Sequence, residues 1–161
     1  MNLSGNNFSD EEFFSFLREK IVRGNIKRGQ IVFEITETAA VHDLGKAQSF
    51  ISGLKELGCR FALDDFGVGF TSFLYLKQLD VDYIKIDGSF VRKLDENKSD
   101  QLFVRAITDV ARGMGIKTIA EFVENEDTLK LLKTIGVDYA QGYYIGRPAP
   151  VFGTETFKKK A

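Results

Sequence analysis

The sequence of 161 residues predicts an α/β fold, a TIM-type (β/α) barrel that is incomplete at its N-terminal side. Three observations carry this reading. Short apolar runs alternate with stretches of helical periodicity, the pattern of βα units that feed a parallel sheet. Nearly every predicted strand ends in a side chain able to bind metal or phosphate, and a barrel gathers those ends on one face. The chain supplies five whole strands and the end of a sixth, against the eight strands and roughly 250 residues of a full barrel.

The elements follow in order. Asn2-Leu3-Ser4 reads as the end of the partial strand. Ser9 followed by Glu12 reads as a capping box, and Phe13, Phe16, Leu17 and Ile21 then recur at helical spacing until Gly24 stops the helix. Residues 31–36 are a strand. A helix over 44–57 ends at Gly58, as a glycine C-cap predicts. A strand over 60–64 leads into a glycine-bearing loop over 65–69 and a short helix over 72–79. A strand over 83–87 precedes a helix over 101–114. A strand over 117–121 precedes a helix that begins at Asn125 and runs to Ile135 and Gly136. The last strand is 139–141, and Pro148 and Pro150 close the pattern. The chain reads as one domain over 1–161, with no linker or repeat.

Composition narrows the function. Hydrophobic residues make up 43%, enough for a real core. The net charge is −1, from 22 basic and 23 acidic residues, so no basic surface for nucleic acid is expected. Lys158, Lys159 and Lys160 read as a solvated tail. Cys59 is the only cysteine, which excludes an internal disulfide, fits a reducing cytoplasm and suggests a packed thiol. His42 is the only histidine, which argues against a histidine relay or a zinc site. There is no apolar run of about 18 residues and no basic-apolar leader at Met1. A cytoplasmic location is expected, with any membrane tether outside this chain.

The chemistry sits at the strand ends. Glu34 lies near the end of its strand, and Asp64 and Asp65 end the next. Lys85 and Asp87, two apart, share a face at the end of the third. Glu121 ends the fourth, with Glu124 one turn later. Gln141 ends the fifth, and Asn2 ends the partial one. Each has a structural reading on its own: turn and cap chemistry for Asp64 and Asp65, an interior ion pair for Lys85 and Asp87, a dipole partner for Glu121, tight turns for Gly67 and Gly69, an exposed terminus for Asn2. Their repetition at the same end of successive strands favours a shared site. Clustered carboxylates need cations to stay ionised together. Oxygen donors of this kind suit Mg²⁺ or Mn²⁺, and two such ions about 4 Å apart can clamp a phosphodiester for in-line attack. Asp65-Phe66-Gly67 is not a kinase metal loop, because the kinase glycine and catalytic loops are absent. No Gly-Lys-Ser/Thr phosphate loop exists either.

At this point the chain resembles a known family. Asn2-Leu3-Ser4, Glu34-Ile35-Thr36-Glu37, Asp64-Asp65-Phe66-Gly67-Val68-Gly69, Lys85-Ile86-Asp87, Ala120-Glu121-Phe122-Val123-Glu124 and Gln141-Gly142-Tyr143 are similar, in order and spacing, to the motifs of EAL domains. These are bacterial phosphodiesterases that cut cyclic di-GMP to its linear dinucleotide, pGpG. The resemblance implies that Asn2, Glu34, Asp64, Asp65 and Glu121 are metal ligands, with Asp64 and Asp65 between two ions. It implies that Lys85 positions or deprotonates the attacking water, its pKa lowered by the neighbouring cations. Asp87 would help hold the second metal region, and Glu124 and Gln141 would support substrate and solvent. Glu37 would anchor the loop over residues 66–72, a region that also implies a homodimer.

Two departures stand out. The Glu-Ala-Leu segment that names the family is not in the chain and would precede Met1. Phe122 stands where the family usually has glycine, beside Glu121, where its ring would narrow the site or pack in the barrel. Open sheet edges invite pairing with another chain, so this chain alone is expected to be a poor catalyst that self-associates. The leading functional expectation is hydrolysis of cyclic di-GMP by the parent protein. The alternative is a catalytically silent receptor for the same messenger, and a third reading is an unrelated barrel enzyme acting on a small anion.

Overall fold

A computed structural model describes residues 1–68 and 73–149. Six strands form one parallel sheet in sequence order: β1 (Asn2–Leu3), β2 (Val32–Thr36), β3 (Arg60–Phe66), β4 (Tyr83–Ile86), β5 (Lys117–Ala120) and β6 (Tyr139–Ala140). Each strand pairs with its sequence neighbour, from Asn2 opposite Glu34 to Ala120 opposite Ala140. β1 and β6 are the two edges of this sheet, which is not closed. The helices are α1 (Glu11–Arg23), α2 (Glu37–His42), α3 (Leu44–Glu56), α4 (Phe73–Leu76), α5 (Gly88–Val91), α6 (Lys98–Gly113) and α7 (Glu126–Ile135), with a 3-10 turn over Gly5–Ser9. None of the described helices is long and apolar enough to cross a membrane.

The sheet has two unlike faces because side chains alternate along each strand. Phe33, Ile35, Phe61, Leu63, Ile84 and Ile86 are fully buried and pack with Leu54, Val104, Ile107 and Leu132 from the helices. Lone Cys59 is a free, buried thiol in this core. Glu34, Asp64 and Lys85 fall on the other face, which carries the polar chemistry: Lys85 is opposite Asp64, and Glu34 pairs two places earlier, with Ala62.

Several local expectations need correction. The Ser9–Glu12 capping box does not form. Ser9 ends the 3-10 turn, and Asp10 caps α1 by accepting the Phe13 N–H at 2.8 Å. With that start, Phe16 is 52% exposed under the Lys20 ammonium, and Phe14 packs instead against Phe50. α2 was not expected: Thr36 caps it by accepting the Ala39 N–H at 3.3 Å. α6 starts at Lys98, three residues earlier than the apolar pattern suggests, because Asn97 accepts from the N–H groups of Ser99 and Asp100. β3 runs on to Phe66, so Asp65 and Phe66 belong to the strand and not to the loop. Gly69, Ser72, Pro150 and the Lys158–Lys160 tail lie outside the described residues.

Candidate functional site

The acidic centre is built by an irregularity in β3. Leu63 pairs with Ile84 and Phe66 with Ile86, so Asp64 and Asp65 together oppose Lys85 alone. This is a bulge, two residues against one. In a regular strand the two aspartates would point to opposite faces. Here Asp65 has φ +55°, and carboxylate oxygens of Asp64, Asp65 and Glu121 lie within 4.8 Å of one another. Aspartate is among the few non-glycine residues that tolerate this backbone region.

Lys85 is the hub. Its ammonium lies 2.8 Å from Asp64 Oδ1, 2.9 Å from Glu121 Oε1 and 3.3 Å from Glu34 Oε2, with the lysine side chain only 6% exposed. Burial alone would lower its pKa, but the close approach and negative charge of Asp64 and Glu121 outweigh it and hold the ammonium well above the ordinary lysine value. The lowered value expected from the resemblance presupposes cations beside the lysine. Facing carboxylates alone, it is driven the other way. Burial raises the Glu121 carboxyl against the opposing pull of Lys85. Burial, then the charges of Asp64 and Asp87, raise Asp65.

The remaining expected residues divide. Glu37, 2% exposed at the start of α2, accepts the Gly67 N–H at 3.0 Å, which ties it to the beginning of the 66–72 segment. Gly67 has φ +104°, and a Cβ there would press on Phe103 and Phe90, whose rings stack at 4.2 Å. Asp87 caps α5 by accepting the Ser89 N–H at 2.8 Å, and it acts on the centre through its charge on Asp65. Asn2 pairs in register with Glu34 at the sheet edge and is exposed. Glu124 and Gln141 do not join the acidic cluster. They line a cleft of ≈ 370 Å³ beside it, together with Glu121, Phe122, Arg92 and Tyr143. Phe122 therefore borders this cleft and is not packed in the barrel, with 43% of its surface exposed. Arg92 was not singled out from the sequence. The signal available was its place just past the end of the short helix that Asp87 caps. A larger cleft of ≈ 460 Å³ lies between the 3-10 turn, α1 and α3, away from the acidic centre. Among the described residues, the only group of three or more side chains suited to hold a metal is Asp64, Asp65 and Glu121.

Carboxylates pooled around one lysine at the C-terminal ends of parallel strands define an α/β barrel-type domain with an acidic, cation-suited site. The EAL domain model matches residues 1–148, and the chain belongs to the EAL domain family. It is 47% identical over 151 residues to the cyclic di-GMP phosphodiesterase PdeB of Shewanella oneidensis, covering 94% of this chain and 18% of that protein. It is 38% identical over 154 residues to the cyclic di-GMP phosphodiesterase PdeF of Escherichia coli, covering 96% of this chain and 21% of that protein. The FimX EAL domain of Pseudomonas aeruginosa bound to c-di-GMP superposes with a TM-score of 0.86 at 31% identity, over 92% of this chain and 61% of the other. The chain thus spans about a fifth of the length of these curated relatives.

Proposed function

We propose that this chain forms the cation-binding and catalytic face of a phosphodiesterase that hydrolyses cyclic di-GMP to linear pGpG, with two Mg²⁺ or Mn²⁺ ions. The observation that carries the reading is the gathering of Asp64, Asp65 and Glu121 within 4.8 Å of one another, with Lys85 on Asp64 and Glu121, in a chain so similar to named cyclic di-GMP phosphodiesterases. The donor set fits hard divalent cations. Asp64 Oδ1 is buried and accepts no hydrogen bond of good geometry, although the Lys85 ammonium lies beside it. Four carboxylates, those of Glu34, Asp64, Asp65 and Glu121, stand against one ammonium, an excess of negative charge that cations offset.

Asp64, Asp65 and Glu121 would hold the ions, with Glu34 and Asn2 from the adjoining strand ends. Bound there, the cations supply positive charge against the oxygens of the scissile phosphodiester. Lys85 carries a proton at Nζ among these oxygens, placed to orient the attacking water through its hydrogen bonds. Glu124 and Gln141 border the cleft that receives the dinucleotide. Glu37 fixes the Gly67 end of the 66–72 segment and so keeps Asp65, two residues before, in its bulged position. The same segment is the proposed contact of a homodimer.

The test follows pGpG by anion-exchange chromatography, using the protein in its natural length. Conversion of cyclic di-GMP should require Mg²⁺ or Mn²⁺, stop in EDTA and fall by about two orders of magnitude or more in Asp64→Asn. Tight binding of cyclic di-GMP with no conversion in either metal would move the protein to the second reading, a silent receptor. The observation that favours this second reading is Phe122, a bulky ring directly after Glu121.

A further inference from the structure

Phe122 is an aromatic ring in a place where burial does not explain it. Its backbone has φ +53°, a strained conformation for a side chain of this kind. The ring nevertheless stays 43% exposed, in the wall of the ≈ 370 Å³ cleft that Glu121, Glu124 and Gln141 share. Its position is set from below by Gly88, where any Cβ would collide with the ring's Cδ2 and press on its Cβ. From above, the exposed Arg92 guanidinium sits over the ring, its carbon 4.0 Å from the centroid. Across the cleft Tyr143, 60% exposed, carries Arg147 at 4.7 Å in the same manner. Two aromatic–guanidinium pairs therefore stand beside the carboxylate centre.

We propose that the Phe122–Arg92 pair is a nucleobase platform: Phe122 holds the guanidinium plane in place, and a purine base of the dinucleotide stacks on its open side. The inference rests on the cyclic di-GMP reading above and assigns it a base-binding subsite. Guanidinium planes and aromatic rings are the surfaces on which extruded bases stack. The acidic centre handles the phosphodiester, and the pair handles a base. Phe122 is thus a positioning residue for Arg92 and for the ligand, which accounts for a strained aromatic side chain at a position where glycine would be free of strain.

The experiment is equilibrium binding of cyclic di-GMP, with Ca²⁺ in place of Mg²⁺ to hold turnover in check, to the wild type and to Phe122→Leu, Phe122→Trp, Arg92→Met and Gly88→Ala. Phe122→Leu and Arg92→Met should each weaken binding about 5- to 150-fold. The double variant should be little worse than either alone, because the two act as one platform. Phe122→Trp should bind as the wild type does. Gly88→Ala should weaken binding by displacing the ring. Mn²⁺ binding without nucleotide should be unchanged in all four. If the wild type binds and Phe122→Leu binds equally well, the platform is overturned while the phosphodiesterase reading stands. If the wild type binds no cyclic di-GMP, the functional reading itself fails and takes the platform with it.

Discussion

The two ends of the sheet use aspartate and lysine in opposite ways. At the N-terminal ends, Asp82 precedes β4 and accepts the Phe61 N–H of β3 at 2.8 Å, with Lys55 at 3.4 Å on its other oxygen. Asp138 precedes β6 and does the same to β5. It accepts the Thr118 N–H at 2.9 Å and the Thr118 hydroxyl at 3.2 Å, and Lys117 reaches its other oxygen at 2.7 Å. Each carboxylate has its own backbone donor and a lysine, although Lys55 also holds Asp80, at 2.6 Å. At the C-terminal ends Glu34, Asp64 and Glu121 share the single Lys85, Asp64 Oδ1 lacks a well-formed hydrogen bond, and the backbone is held at positive φ at Asp65 and Phe122. One end closes its polar bonds and stabilises the sheet. The other keeps surplus negative charge in a half-buried place, a condition that favours the binding of a cation. In barrels this division is general: stability resides at the N-terminal face and chemistry at the C-terminal face.

The sharpest way to break the comparison is to remove the hub. Lys85→Met keeps the stem and deletes the charge, leaving Asp64 and Glu121 buried beside one another. Loss of one partner of a buried pair costs about 3 kcal/mol, so urea unfolding in EDTA should show a drop of that order. Added Mn²⁺ should recover part of it. A drop that Mn²⁺ does not touch would mean that the carboxylates are not a cation site.

A smaller effect is expected at the satisfied end. Asp138→Asn should cost about 1 kcal/mol at neutral pH, a modest value because Lys117 is more than half exposed. Burial alone would raise the Asp138 carboxyl, but Lys117 and Thr118 outweigh it and hold it below the ordinary 3.8. A carboxyl depressed in the fold stabilises above its unfolded value and loses that contribution as the pH falls through its folded value. The difference between wild type and Asp138→Asn should therefore be full at pH 7 and shrink in acid, below pH 4. Equal differences at both pH values would mean that charge plays no part.

The smallest effect has the opposite sign. Burial, Asp64 and Asp87 raise the Asp65 carboxyl in the fold, so its charged form is penalised at neutral pH. That penalty disappears as the pH falls through the raised folded value. Asn tolerates the φ of +55° as Asp does. Asp65→Asn should therefore raise Tm slightly in EDTA at pH 7, with the gain vanishing in acid, while weakening Mn²⁺ binding. A lower Tm in EDTA would show that Asp65 is held by structure and not by charge.

Much of this contrast was legible in the sequence. Parallel order, the strand positions and the carboxylates at successive strand ends followed from short apolar runs, such as residues 31–35 and 61–63, alternating with stretches of helical periodicity. Glu37 accepts the Gly67 N–H, a contact at the start of the loop that the resemblance assigns to it. The bulge was not legible. Nothing in Asp64-Asp65 says that two residues oppose one, and only the pairing with β4 reveals it. Asp87 reads from the sequence as half of an ion pair with Lys85 or as support for a second metal, and its role as the cap of α5, accepting the Ser89 N–H, is not legible there. The Ser9–Glu12 misreading has the same origin: Ser9 and Asp10 are both good caps, and backbone geometry chose the second. Arg92 was missed because α5 spans only Gly88–Val91, too short for periodicity to show which way a neighbouring side chain turns.

The most direct test of the account is isothermal titration of Mn²⁺ into the wild type, Asp64→Asn and Asp138→Asn. The account predicts binding to the wild type, unchanged binding to Asp138→Asn, and affinity lower by about tenfold or more in Asp64→Asn. Equal Mn²⁺ affinity in all three proteins would contradict it, because the carboxylates gathered around Lys85 would then be no different in kind from those that tie the far end of the sheet.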